Sequence, residues 1–401
     1  MERKYRQCTA KRTVDNANFK GGVIDFDFSV GSNTVFIPSK SYFRIGVSLT
    51  KDTAGSRLEA ADAVTFANFC PGNLFDNCFF YAGGSNVSSC INYGPQAHAL
   101  SYRLSKSGAW LNSIGKDAYG ICASFRRRLD MSSSDDIDEV GLVPSRDDSA
   151  QHIKYFIYQP PIGIMEHSKP MGSGQYRFQF NPASNYSFAA LETSDPTKTA
   201  GVFNVTSMEL YVCEEKMDIS PSGTDTLHLL EHHVQSKKYA TNLDFTLPPS
   251  TKAISVFVQS GKAGTSFNIP PSRFITEDRY DECEQKLTSL QLTYANCTKP
   301  PTNVISDRGL QQRWFDCQIE SGQAFSSGGS ETLADWKTNG PIYHYSFQRD
   351  ANDRSTNCQL TTMFSTPPGV DDNLFIVAHY TRSIEISVES GYISNVTSLT
   401  I

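Results

Sequence analysis

The sequence predicts an all-β protein built as a double jelly roll, two tandem eight-stranded antiparallel β-sandwiches with short helices in their loops. Three observations carry that expectation. Short segments in which apolar and polar residues alternate recur along nearly the whole chain. Helical periodicity is confined to two stretches. The two halves share a series of short matches in the same order, as tandem copies of one fold do. The composition agrees: 25 Phe and 18 Tyr in 401 residues favour strands, and the 19% charged fraction lies below the ~25% of an average globular chain.

The strands read in order as follows. Val23–Val30 carries Ile24, Phe26, Phe28 and Val30 at every second position, and Phe43, Ile45, Val47 and Leu49 repeat the pattern. Leu74–Tyr81, Ile153–Tyr158, Tyr176–Phe180 and Phe203–Val212 complete the first half. Leu243–Leu247, Ile254–Gln259, Leu287–Tyr294, Ile342–Phe347, Gln359–Phe364, Leu374–Tyr380 and Ile384–Val388 make up the second. Gly83-Gly84, Pro160-Pro161, Pro300-Pro301 and Pro367-Pro368-Gly369 punctuate them. The helices are Gln96–Lys106, with Pro95 suited to the first helical position, and Leu310–Glu320.

The internal repeat sets the domain count. Phe36–Val47 aligns with Leu247–Val258 at an offset of 211, Tyr81-Ala82 with Tyr294-Ala295 at 213, and Ser107-Gly108 with Ser321-Gly322 at 214. Asn204–Ser207 then matches Asn395–Ser398 at 191, a drop that the acidic insertion at 129–150 accounts for. These matches predict a basic arm at 1–20, a first roll at 21–219, a linker at 220–226 and a second roll at 227–401.

Several function classes are excluded. A net charge of −6 does not make the surface a nucleic-acid glove. No apolar run approaches the 18 residues of a spanning helix. The opening MERKYRQCTAKR lacks the apolar stretch of a secretory signal, so the chain is expected to act inside a cell. Ten cysteines without a C-x-x-C pair read as reduced thiols, and the sequons at Asn86, Asn185, Asn204, Asn296 and Asn395 as unglycosylated.

No catalytic or cofactor-binding set emerges. Gly172-Ser173-Gly174 is a turn rather than a nucleophile elbow, and H-E-x-x-H is absent. The densest metal candidate is His228, Glu231, His232 and His233. On a strand these do not converge, so they read as a surface or interface strand end. Tyr343-His344-Tyr345 supplies one histidine where a metal-binding jelly roll needs two. No spacing singles out a glycosidase acid pair, and no glycine cradle is followed by the Lys-Ser/Thr of a phosphate loop. Two charged features remain. Arg3, Lys4, Arg6, Lys11 and Arg12 form the arm, able to face nucleic acid, lipid headgroups or an acidic partner, and expected to be dispensable for folding. Asp135, Asp136, Asp138 and Glu139 mark the exposed acidic loop.

Several segments resemble the double jelly-roll major capsid proteins of DNA viruses, of the Polinton-like virus, adintovirus and virophage type. Phe36–Ile45 is similar to the start of their first roll, and Tyr158–Ile164 followed by Tyr176–Pro182 to its later part. Ile254–Gln259, Ile269–Phe274 and Leu287–Tyr294 resemble the opening of the second roll, and Trp336–Tyr345 and Ala378–Ile386 its end. The resemblance implies a pseudo-hexagonal homotrimeric capsomer in an icosahedral virion shell. It implies neighbouring capsomers, penton and minor capsid proteins as partners, with genome or an inner membrane surface met through the arm. It implies no enzyme, cofactor or small-molecule substrate. A non-catalytic carbohydrate-binding or host-attachment double β-sandwich is the alternative.

Overall fold

The computed structural model describes residues 3–51, 64–121, 153–193, 201–217, 223–264, 270–274, 287–301, 307–325, 331–347, 356–364, 372–389 and 392–399. The acidic loop with Asp135, Asp136, Asp138 and Glu139 lies outside them.

The first roll contains β1 (Arg3–Thr9), β2 (Ile24–Val30), β3 (Thr34–Phe36), β4 (Tyr42–Thr50), β5 (Val64–Phe66), β6 (Phe75–Ala82), β7 (Ser85–Cys90), β8 (Ile153–Tyr158), β9 (Gly174–Pro182), β10 (Leu191–Thr193) and β11 (Val202–Lys216). The second contains β12 (Gly223–Lys238), β13 (Asn242–Thr246), β14 (Thr251–Gln259), β15 (Leu287–Tyr294), β16 (Cys297–Lys299), β17 (Tyr343–Ser346), β18 (Asn357–Phe364), β19 (Asn373–Glu389) and β20 (Tyr392–Leu399). The sheets of the first roll run β1-β11-β4-β8 and β2-β9-β6-β7. Those of the second run β12-β19-β14-β17 and β13-β18-β15-β16. The two orders correspond strand for strand, and each is the eight-stranded two-sheet jelly roll. Helix α1 (Gly94–Ser105) follows β7 and helix α2 (Asp307–Glu320) follows β16, so the helices are counterparts too. A short α3 (Leu333–Thr338) starts where the Thr332 hydroxyl accepts from the Asp335 N–H at 3.1 Å.

Alternation places the core. In β4 the buried Phe43, Ile45, Val47 and Leu49 point at the opposite sheet. Phe43 there meets Phe178 and Phe180 edge-on, with ring centroids 5.2 and 4.8 Å away. The second roll closes around Ile254, Val256, Leu292, Trp336, Tyr345, Leu360 and Ile376.

Four sequence expectations change. The basic segment is not an arm: Arg3–Thr9 is the edge strand of the first roll, paired antiparallel with Glu209–Glu215 of β11. Its polar alternation hid it, because an edge strand with one solvated face carries little hydrophobic signal. The linker is shorter than 220–226, since Gly223–Thr226 already pair with Glu385–Val388 of β19. Leu374–Tyr380 and Ile384–Val388 are one continuous strand. The polar Thr381-Arg382-Ser383 between them pairs with His228, Leu229 and Leu230 of β12. Finally, the match of Asn204–Ser207 to Asn395–Ser398 is coincidental. The first lies in β11, whose counterpart is β19, whereas the second lies in β20, an added edge strand on β19. The insertion itself is real, because the offset falls from 213 between the starts of α1 and α2 to 190 between those of β8 and β17.

Deleting residues 1–10 removes the whole of β1 and leaves the β11 edge unpaired. The expected outcome is a lower thermal midpoint and a greater tendency to aggregate, checked by differential scanning calorimetry. An unchanged melt would show that β1 contributes nothing to the roll.

Candidate functional site

Helix α1 of the first roll lies on the outer face of the sheet β12-β19-β14 of the second. Ten of its twelve residues, Gly94 through Arg103, are buried. Tyr93 sets its ring edge-on against Phe375 at 5.4 Å and shares a hydrogen bond of 2.9 Å with Ser236. Gln96 Nε2 donates to Gln259 Oε1 at 2.9 Å, and Gln259 Nε2 donates in turn to the carbonyls of Pro271 and Arg273 at 2.6 and 3.0 Å. At the far end of the helix, Arg103 Nε and Nη2 grip the two oxygens of Glu331 at 2.8 and 2.9 Å. The same guanidinium donates to the carbonyls of Asn339 and Gly340 at 3.1 and 2.8 Å, and it sits 5.4 Å from the Phe274 ring. Both charged side chains are 2% exposed. A bidentate pair with its remaining donors satisfied is the form in which buried charge is tolerated.

A second contact runs from β7 and the turn Gly163–Glu166 to β12. Ser88 Oγ donates to the Glu231 carboxylate and accepts from the Ile164 N–H at 3.2 Å. Arg382 donates to Oδ1 and the carbonyl of Asn86 at 3.0 and 3.1 Å, so this sequon side chain is engaged. The approach requires glycine at 163, where a Cβ would stand 2.6 Å from the Leu230 carbonyl oxygen. Burial pushes the Glu231 carboxyl up to about 7, against the opposing pull of the Ser88 hydroxyl and Arg382.

The structure separates the histidine-rich group. Glu231 turns to Ser88, His228 Nδ1 meets Ser383 Oγ at 2.9 Å, and His233 meets Gln235 at 2.7 Å. His232 Nδ1 meets His379 Nδ1 at 3.0 Å. Ser255 Oγ then links His379 Nε2 to His344 Nδ1, at 2.8 Å each. This buried His-His-Ser-His row crosses four strands of one sheet, so it is visible only once their register is known. Burial lowers the pKa of His232, His344 and His379, that of His344 to about 4. In the first roll, burial lowers His98 to about 3. Among the described residues no three His, Cys, Asp or Glu side chains are grouped to hold a metal ion, and the eight described cysteines are free.

The five basic residues are all occupied. Arg3 pairs with Glu215 at 3.0 Å, and Lys4 and Arg6 with Glu214 at 3.3 and 2.6 Å. Lys11 pairs with Asp27, and Arg12 donates to the carbonyls of Asn18, Phe19, Gly22 and Val23. They tie β1 and the following loop to the roll. A polar cleft of about 580 Å³ lies on the outer side of β2-β9-β6, lined by Asp27, Tyr81, Gln175, Arg177 and Gln179 among others.

No protein-family model matches the chain, and no curated protein matches it by sequence. Solved structures do. A chain of the Sputnik virophage, determined by electron cryo-microscopy, superposes with a TM-score of 0.65 at 12% identity, covering 100% of this chain and 88% of that one. The mavirus major capsid protein gives 0.56 at 10% identity over 98% of this chain and 90% of its own. The Faustovirus major capsid protein gives 0.51 at 8% over 97% and 90%. The chain therefore shares along its whole length the double jelly-roll fold of these viral proteins.

Two outcomes test the seam. Arg103→Met strands Glu331 in a buried site and is expected to cost about 3–5 kcal/mol in guanidinium unfolding. The double change with Glu331→Leu should recover most of that. A loss below about 1 kcal/mol in the single variant would show that the pair does not clasp the rolls. Glu231→Gln tests the second contact. The folded carboxyl titrates near 7 rather than 4.5, so its stabilisation is full below pH 4.5 and is lost as the pH rises through 7. The variant should be more stable than the parent by roughly 3 kcal/mol at pH 8 and equal to it at pH 4.5. An identical gap at both pH values would contradict this assignment.

Proposed function

We propose that this chain is a structural major capsid protein, whose copies associate as pseudo-hexagonal homotrimeric capsomers and tile an icosahedral viral shell. The observation that carries this reading is the pair of corresponding rolls joined by a buried seam, matched along the whole chain by solved capsid proteins. Two rolls of one topology present similar lateral faces twice per chain. Three such chains around a threefold axis offer six nearly equivalent sides, which suits a lattice of repeated contacts. Neighbouring capsomers, penton and minor capsid proteins are the partners this role entails, and the virion capsid, assembled inside the host cell, is its location. Genome or an inner membrane surface could be met through the basic segment only in competition with Glu214, Glu215 and Asp27. The role needs no catalytic residue, cofactor or small-molecule substrate.

One observation favours a second reading, carbohydrate binding. Tyr81, Gln175, Gln179, Asp27 and Arg177 line one cleft, and an aromatic ring beside amides and charges suits a sugar.

Multi-angle light scattering and negative-stain microscopy of the purified protein separate the two. Trimers, or hexagonally outlined particles and sheets, are expected from a capsid subunit. A strict monomer that binds glycan would sink that reading.

A further inference from the structure

The row His232-His379-Ser255-His344 takes one side chain from each of β12, β19, β14 and β17, in their order across the sheet. All four are buried, at 9%, 5%, 0% and 6% exposure. Its two ends reach the two contacts between the rolls. At the β12 end, Gly163 of the first roll packs against Leu229 and Leu230, and Glu166 of the same turn lies within electrostatic reach of His232. At the β17 end, the His344 N–H donates to the Cys317 thiol of α2, which lies in the field of Arg103 and Glu331. Lys299 of β16 also acts on His344. Glu231 adjoins His232 in sequence but is turned to Ser88.

Counting protons shows what the row tolerates. A neutral imidazole has one N–H and one acceptor nitrogen. The 3.0 Å contact joins His232 Nδ1 to His379 Nδ1, so one nitrogen donates and the other accepts. Two neutral rings meet that condition in either direction. One added proton preserves it, because a cationic ring still donates to a neutral one, and the bond is then charge-assisted. A second proton cannot be held. Both Nδ1 atoms would carry hydrogen, and two positive rings would face each other with no acceptor between them. The Ser255 contacts have no such limit, since a hydroxyl oxygen accepts from both neighbours at once. The row therefore has one breaking point. Burial disfavours charge on every ring. Beyond that, Glu166 favours a proton on His232, whereas His232 and His344 oppose one on His379.

We propose that the His232–His379 contact is an acid-operated latch. It holds while the two rings share one added proton, and the second proton breaks it and lifts the Gly163–Glu166 turn of the first roll from β12. Two buried cations reach water only when their cover moves, and this turn packs on the β12 stretch that carries His232. Bases held neutral by burial keep the latch closed above pH 6.5 and weaken it as the pH falls below that value. The device belongs to the fold and stands whether or not the chain builds a shell.

The test uses the full chain and His232→Asn. The asparagine amide lies near the place of Nδ1, donates or accepts there, and does not titrate. Amide exchange read by mass spectrometry, corrected for the chemical rate, follows the opening of residues 163–166. Opening in the parent should rise at least about tenfold per pH unit below pH 6, one proton being taken up. In the variant the rise should fall below about threefold, because His379 can then charge with its bond intact. Hydrogen exchange at the imidazole C2 position titrates each ring separately. Losing His232 should move the His379 titration upward by at least about one pH unit. A parent turn that opens no faster at pH 5 than at pH 7, or a His379 titration unmoved in the variant, overturns the latch. If the variant does not fold, the parent's rings decide alone. His232 and His379 should titrate in two steps at least about one unit apart, and a single shared step near 6.5 overturns the proposal.

Discussion

Two sandwiches on one chain behave as one body only if the surface between them is dry and its polar groups are satisfied. Here that condition is met by laying α1 on a sheet face that would otherwise be solvated. The sheet pays no edge or face penalty because Phe257, Phe375 and Val377 gain apolar cover, and the polar groups trapped with them find partners. Gln96 donates to Gln259, which donates in turn to two loop carbonyls, and Arg103 neutralises Glu331 while bonding two more. These bonds select one arrangement more than they add net stability, since a displaced roll would leave several buried groups unpaired at once. The fixed angle between the rolls follows from this, and any role that depends on presenting two faces in a defined relation follows from the angle.

The same burial sets the titration behaviour. Glu231 is held in a site that favours its neutral form. His98, His232, His344 and His379 are also held neutral by burial, but for a base that means losing stability as the pH falls below 6.5. The carboxyl weakens the fold on the alkaline side and the imidazoles weaken it on the acid side. These residues are one carboxyl and four bases in largely apolar surroundings, with no metal grouping among the described residues. Burial in the packed sheets is the first cause of each of these shifts.

Much of the architecture is legible in the sequence because period-two alternation is strong wherever a strand has one face in a core. Ile153–Tyr158 and Leu287–Tyr294 appear with the boundaries read from the residues alone. Strands whose outward face is also buried, or whose inward face is short, are harder to read. β12 carries His228, His232 and His233 yet runs for sixteen residues, because its polar side chains bond across the seam and the sheet. β1 is nearly all polar and is held by β11 and two of its acidic residues, Glu214 and Glu215, distant in sequence. The interface itself is barely legible. Gln96, Arg103 and Glu331 have no local pattern, since their partners lie 163 and 228 positions away. The exposed Phe315 and Ile319 look like core residues of an amphipathic helix until the structure shows which side of α2 is packed.

The two rolls share one strand order but use their outer faces differently, because α1 of the first docks on the face of the second. At the positions where the second roll has Ser255 and Phe257, enclosed by its neighbour, the aligned residues of the first are Arg44 and Gly46 beside Tyr42, on a face that meets water. A face under permanent cover can be plain and apolar, while one that meets water keeps polar tips on its aromatics, as Tyr5 and Tyr155 of the first roll do.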